Sequence, residues 1–201
     1  MVIATIKRRA IPEGINVLYG EASPFFIPKS LLLEFSLPYF EDGTEIDEFL
    51  LKDLQHINDC YLCRKKGLDL LARREHSIFE LRGKLIKRKF SAQSITNAIE
   101  YLVSKNFLSE KRFCENFISS RIKKSEGKYL ILQRLHQKGI SSSLSNKVYE
   151  ENIDFDIEKG ACIISLKKIR FKYDDKQIIK DKLLKKGFSN SIIRECFDEI
   201  Y

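Results

Sequence analysis

Two spacings of apolar residues divide this chain. Before about residue 40 they fall in short runs. Val2 to Ile6 and Ile15 to Tyr19 are β-branched segments, Gly20 supplies a turn, and Phe25-Phe26-Ile27 lies between Pro24 and Pro28. Such runs bounded by turn residues read as short strands. Pro28 suits the first turn of a helix, where its missing N–H would go unsatisfied anyway, so residues 29–35 are expected to form a short helix. From Thr44 onward the apolar period is helical. Thr44-x-x-Asp47 is expected to open one helix with Thr44 accepting from its first amides, and Ile57, Tyr61, Leu68 and Leu71 mark one face of a second, ending near Arg74. Ser77-Ile78-Phe79-Glu80 has the form of a capping box and would turn Ile78, Leu81 and Leu85 inward. Ser91 is placed to cap a helix carrying Ile95, Ala98, Ile99 and Leu102, and Ser109 one whose inner face is Phe113, Phe117 and Ile118. Further helices are expected over residues 128–138, 143–151, 156–171, 176–186 and 191–200.

An internal repeat runs through the helical part. Leu85-Ile-Lys-Arg-Lys-Phe90-Ser91 recurs as Leu135-His-Gln-Lys-Gly-Ile140-Ser141 and as Leu183-Leu-Lys-Lys-Gly-Phe188-Ser189, so the anchors Phe90, Ile140 and Phe188 lie 50 and 48 residues apart. Each copy is a basic helix end, a turn at Lys89, Gly139 or Gly187, an apolar anchor, a Ser cap and another helix. Glycine at that point fits a left-handed helix C-cap. Three copies in order predict a mainly α fold: an elongated tandem array of three similar helical modules, each packing chiefly on its neighbours. The expected division is 1–56, an N-terminal β-containing extension with its lead-in helix, then modules at 57–107, 108–152 and 153–201. All four prolines lie at or before Pro38, as a long helical region requires.

Composition narrows the class. With 43% hydrophobic and 32% charged residues among 201, wholesale disorder is excluded. No apolar run approaches the roughly 20 residues of a membrane span, and Met1 to Tyr19 does not resemble a signal peptide. Five cysteines are then expected to be free thiols in a reducing cytoplasm. The net charge of +8 is uneven: residues 1–56 carry five Lys/Arg against nine Asp/Glu, which leaves 31 against 19 for the rest. The helical part should therefore be drawn to polyanions or to an acidic protein surface, although a basic helical surface also serves simple solubility.

The residues Leu71-Ala72-Arg73-Arg74-Glu75-His76-Ser77, Glu80-Leu81-Arg82-x-Lys84-Leu85, Phe90-Ser91 and Asn106-Phe107-Leu108-Ser109-Glu110-x-Arg112-Phe113 resemble the RecX family of recombinase regulators. The likeness continues through Phe117, Ser120-Arg121, Gly127, Leu135 and Lys138-Gly139-Ile140, and loosens beyond residue 140. The N-terminal piece, with Gly20-Glu21 after a strand, is similar to the β-containing extension of some members. Lys89 departs from the family's usual glycine, and Arg134 stands where an acidic residue is common. The resemblance implies a non-enzymatic, cytoplasmic protein that acts as a monomer, a curved tandem array of three similar three-helix modules lying along the groove of the RecA nucleoprotein filament. It would limit recombination, ATP hydrolysis and co-protease activity, and some members also bind DNA.

The sequence offers little other chemistry. No glycine loop for phosphates and no Ser/His/Asp or Cys/His signature is present, so neither catalysis nor a cofactor is expected. His56, Cys60 and Cys63 share a helical face, but zinc would need a fourth ligand such as His76, and core packing of the two thiols is the simpler expectation. The expected contacts to RecA or DNA are Arg73, Arg74, Arg82, Lys84, Arg88, Arg112, Arg121, Lys123, Lys124 and Lys138, with Lys167, Lys168, Arg170 and Lys172 as a further basic cluster. Arg121, one turn beyond Phe117, is also placed to bury its stem and pair with a carboxylate. Phe107, Phe113 and Phe117 are expected in the core. The alternative is a standalone protein that binds single- or double-stranded DNA through helix-turn-helix-like modules.

Overall fold

The structure, a computed structural model, describes residues 4–20 and 23–200. A four-stranded antiparallel sheet opens the chain, built from β1 (Ala4–Arg9), β2 (Gly14–Tyr19), β3 (Phe25–Pro28) and β4 (Glu45–Ile46) in the order β3-β2-β1-β4. Alternation puts Ala4 and Ile6 of β1, and Ile15 and Val17 of β2, on one face. There they join Ile27, Leu31, Leu32, Ile46, Leu51, Leu54 and Ile57 in one core. The short helix α1 (Lys29–Glu34) follows β3 directly, with Pro28 as its N-cap rather than its first residue. Val2 and Ile3 of the expected first strand, and Glu21, lie outside the described residues.

Nine helices follow among the described residues. They are α2 (Glu48–Leu71), α3 (Ile78–Ile86), α4 (Ala92–Ser104), α5 (Glu110–Ile122), α6 (Lys128–Gln137), α7 (Ser142–Asn152), α8 (Phe155–Arg170), α9 (Lys176–Lys185) and α10 (Asn190–Ile200). Two expectations need correction. Thr44 does not open a helix: its hydroxyl donates to the Glu41 carbonyl, β4 intervenes, and Asp47 caps α2 by accepting from the Leu50 amide at 2.9 Å. The two expected helices are one, α2, and its buried face is Ile57, Cys60, Cys63, Arg64, Gly67 and Leu70 rather than Tyr61, Leu68 and Leu71. The sequence face was misread because small and charged residues, Gly67 and Arg64, occupy core positions.

The chain divides into two compact units. One comprises residues up to Arg73 together with Leu81–Phe107, the other Arg74–Glu80 together with residues from Leu108 onward. The second unit holds two cores, one around Phe113, Ile118, Ile131, Leu135 and Ile140, the other around Cys162, Leu166, Ile179, Leu183, Phe188 and Ile193.

The repeat has a common geometry. Lys89, Gly139 and Gly187 have φ of 64°, 79° and 89°, so each turns in the left-handed region just before its apolar anchor. Ile140 and Phe188 then donate back to the carbonyls of Leu135 and Leu183 at 3.1 and 3.3 Å, closing α6 and α9 in the same way. Ser91, Ser141 and Ser189 each cap the next helix. Lys89 thus performs the turn despite lacking glycine's freedom. Three further helices, α1, α4 and α5, close on the non-glycine residues Ser36, Asn106 and Ser125 with φ near 56°.

Within the second unit the repeat also dictates how successive modules join. Alone among the described helices after α1, α6 takes no cap from its own leading residue, because Gly127 stands at its N-cap. Its exposed donors find acceptors elsewhere: the Gly127 and Tyr129 amides donate to the Lys186 and Gly187 carbonyls at 2.8 and 3.0 Å, and the Lys128 amide to Glu158 Oε1 at 3.0 Å. One repeat earlier, the Ser77 hydroxyl donates to the Lys138 carbonyl at 2.7 Å, the Glu110 carboxylate accepts from the Ile78 amide, and Gly139 lies against Phe79. Every position in the second junction is its counterpart in the first, displaced by 50 or 48 residues.

Candidate functional site

The ten basic residues singled out from the sequence fall into two classes. Four are held by carboxylates inside the second unit. Glu80 accepts from Arg74 Nη1 at 3.0 Å and from the Lys138 ammonium. Arg112 Nε donates to Glu75 Oε1 at 2.8 Å. Glu126, drawn back by the Ser125 turn, receives Arg134 Nη1 on both oxygens at 2.6 Å and faces Arg121 Nη1 at 3.6 Å. Arg134, the departure from the family pattern, therefore finds its carboxylate eight residues earlier, ahead of the start of α6. The Phe117 ring centre lies 4.9 Å from the Arg121 guanidinium and 5.7 Å from Lys138 Nζ, so both cations border one aromatic ring. The expectation that Arg121 buries its stem and pairs is met.

The remaining six differ in exposure. Arg73, Arg88, Lys123 and Lys124 are exposed, whereas Arg82 and Lys84 are half-buried. Arg88 donates to the Lys84 carbonyl at 2.8 Å. Lys123 and Lys124 close α5, where positive charge meets the negative end of the helix dipole. A cleft of ≈ 400 Å³ opens between Arg74, Glu75, Phe113, Asn116, Phe117 and Ser120. Of the three phenylalanines expected in the core, Phe113 is buried and Phe117 half-buried, but Phe107 is 48% exposed. The left-handed turn at Asn106 places Leu108 inside instead.

Sequence reasoning missed Arg64, which is only 6% exposed. Its guanidinium is gripped by both Glu34 oxygens, donates from Nε to Asn97 Oδ1 at 3.0 Å and lies 4.3 Å from the Tyr101 ring centre. This cluster ties α1 to α2 and α4. A basic residue on an otherwise apolar helical face was the available signal. Cys60 and Cys63 are fully buried, and Cys60 Sγ lies 3.7 Å from His56 Nε2 and 3.8 Å from Ser94 Oγ. Burial pushes both thiols up, Cys63 to about 12, which suits packing rather than reactivity. No group of three His, Cys, Asp or Glu among the described residues is placed to hold a metal ion.

These pairs make a pH prediction. Hydrogen bonds from Arg64 hold Glu34 below the usual carboxylate value. Burial pushes Glu80 up, but bonds from Lys138 and Arg74 outweigh it and leave it lowered too. A carboxyl lowered in the folded state contributes stability that is complete above its unfolded value of about 4.5 and is lost as pH falls through the lowered one. Glu110, raised by burial, works in the opposite sense. The urea midpoint should therefore drop as pH is lowered below the ordinary carboxylate range, and the double variant Glu34→Gln, Glu80→Gln should show a flatter acid limb. An unchanged limb would mean the pairs contribute nothing.

Comparison with known proteins agrees with this architecture. Residues 63–102 match the family model described as RecX, first three-helix domain, and residues 109–148 the one described as RecX, second three-helix domain. The chain is 34% identical over 146 residues to the regulatory protein RecX of Chlorobium phaeobacteroides, covering 68% of this chain and 95% of that protein. It is 25% identical over 193 residues to that of Bacillus licheniformis, covering 93% and 72% respectively. A solved structure of regulatory protein RecX superposes with a TM-score of 0.79 at 20% identity, covering 98% of this chain and all of that one. That of RecX from Lactobacillus salivarius gives 0.64 at 21% identity, over 70% and 96%. The match to both three-helix domains, with the extent of the Chlorobium relative, shows that the chain belongs to the RecX family.

Proposed function

We propose that this protein regulates the RecA recombinase by binding the RecA nucleoprotein filament, without catalysing a reaction itself. The observation that carries the reading is the 34% identity to a protein named for regulation, extending over 95% of that protein's length. The working parts are the modules at 57–107, 108–152 and 153–201, with residues 1–56 as an extension of lesser importance for binding. Lying in the filament groove, the helices hinder entry of duplex DNA and access of co-protease substrates, and contact with more than one RecA subunit biases the filament toward disassembly.

Within that reading the two classes of basic residue divide the work. Arg73, Arg88, Lys123 and Lys124, all exposed, supply field and contacts to an acidic groove, with the half-buried Arg82 and Lys84 alongside them, because exposed charges are those a partner can meet. Arg74, Arg112, Arg121 and Lys138 border the partner while their own carboxylates hold them in place. The protein works as a monomer in the cytoplasm. No helix among the described residues is long and apolar enough to cross a membrane.

Co-sedimentation tests the binding. The protein should pellet with RecA filaments formed on single-stranded DNA and stay in the supernatant with free RecA. Equal recovery with bare DNA and with filaments would transfer the role to DNA binding, the rival reading.

A further inference from the structure

A cleft of ≈ 710 Å³ opens in the first unit between α1, α2 and α4, and none of the ten basic residues singled out from the sequence lines it. Helical spacing assembles it. Tyr61, Arg64, Lys65 and Leu68 form one stripe of α2, and Tyr101, Ser104 and Lys105 one stripe at the end of α4, while α1 contributes Leu31 and Glu34. Both tyrosines are half-buried, whereas Lys65 and Lys105 are exposed. Glu34 is the one carboxylate among the described residues that line the cleft, and the Arg64 guanidinium already grips both of its oxygens. The same guanidinium lies 4.3 Å from the Tyr101 ring centre, so that ring is held in place before any ligand arrives.

We infer that this cleft binds a small phosphate monoester carrying a flat ring, of the kind a nucleoside 5′-monophosphate presents, with the ring against Tyr61 and Tyr101 and the phosphate on Lys65 and Lys105. Charge sets the sign of the ligand. Arg64, Lys65 and Lys105 against Glu34 leave two positive charges, which match a dianion. Donor geometry selects the anion. A carboxylate is gripped best by a planar guanidinium fork, and Glu34 already fills the fork of Arg64. What remains are two ammonium point charges and the hydroxyls of Ser30 and Ser104, donors that suit the several oxygens of a phosphate. The walls select the body. Two aromatic rings beside Leu31 and Leu68 bury a flat ring well, and a mainly apolar cleft with a few polar groups is how small-molecule sites are built. The sequence carried the signal twice, as Tyr-Leu-x-x-Lys at residues 61–65 and again at 101–105. Each of the two helices thus brings one ring and, a turn later, one ammonium group.

This inference stands apart from RecA binding, and its test contains no RecA. Adenosine 5′-monophosphate should bind the intact protein in isothermal titration calorimetry. Ribose 5-phosphate, which lacks the base, and adenosine, which lacks the phosphate, should each bind about tenfold more weakly. Phenyl phosphate separates the two sources of a flat ring: the tighter of it and the nucleotide shows whether an aryl or a nucleoside phosphate is preferred. Replacing Lys65 and Lys105 together by Ala should bring the nucleotide down to the level of adenosine and leave adenosine unchanged. Far-UV circular dichroism should not alter, since both side chains are exposed. Affinity should fall about fivefold to tenfold from about pH 7.5 to about pH 5, because a phosphate monoester loses its second charge near pH 6. Glu34, held low by Arg64 and then by Lys105, stays ionised over that range, and no histidine lines the cleft. Failure of both phosphates to bind, ribose 5-phosphate binding as tightly as the nucleotide, a double variant of unaltered affinity, or an affinity indifferent to pH would each overturn the assignment. So would a thymidine oligomer without a terminal phosphate that competes as well per nucleotide, since that is the behaviour of a strand-binding groove.

Discussion

Replacing Gly187 by alanine is expected to destabilise the protein by about 3 kcal/mol. Its φ of 89° is left-handed. A β-carbon there would collide with the Leu130 amide nitrogen and sit 2.6 Å from Leu130 Cβ and 2.9 Å from the Gly127 carbonyl oxygen. Those atoms belong to the start of α6, so the clash would also break the hydrogen bonds that α6 borrows from Lys186 and Gly187. Neither backbone can yield without exposing buried donors. Gly160, in the middle of α8 with open space around it, is the control. Gly160→Ala should raise stability by up to about 1 kcal/mol, through helix propensity alone. Thermal melts of both variants check this, and a Gly187→Ala melt matching wild type would contradict the account of the module junction.

Reversing Arg73, Arg82, Lys84 and Lys124 to Glu is expected to weaken regulation of RecA about tenfold or more while leaving helix content and melting nearly unchanged. Exposed charges such as Arg73 and Lys124 contribute little to folding, yet they steer and hold a charged partner. Wild-type binding should likewise weaken as salt rises. The carboxylate-held class should behave differently. Arg112→Glu or Lys138→Glu would set a second carboxylate beside Glu75 or Glu80, so the melt itself should fall. Regulation compared at equal folded fraction separates the two cases. A folded quadruple variant that regulates RecA as well as wild type would remove those four residues from the site.

The sequence disclosed the helices beyond residue 90 within one or two residues at most ends, because Ser and Asp caps announce them and apolar residues keep a strict period. It disclosed the repeat for a related reason: glycine at 139 and 187 marks a left-handed turn that few other residues adopt willingly. The same turn at Ser36, Asn106 and Ser125 went unread, since nothing in those residue types demands it, and the slip of Phe107 to the surface followed from that. Strand β4 was hidden because two residues carry no alternation. The site was legible only as a count of positive charges. Which ones are consumed in the fold depends on carboxylates such as Glu75 and Glu126, whose reach is set by turns and packing rather than by spacing along the chain. The partner module's Glu158, which caps α6 from 30 residues away, lies beyond any local pattern.

The most direct test of the central claim is RecA-catalysed ATP hydrolysis on single-stranded DNA, measured at fixed salt across a titration of this protein. Binding along or at the end of the filament predicts inhibition at protein amounts far below the RecA concentration, with the quadruple charge-reversed variant inactive over the same range. Inhibition that begins only when the protein suffices to saturate the DNA itself, and that is matched by its affinity for bare DNA, would contradict the claim.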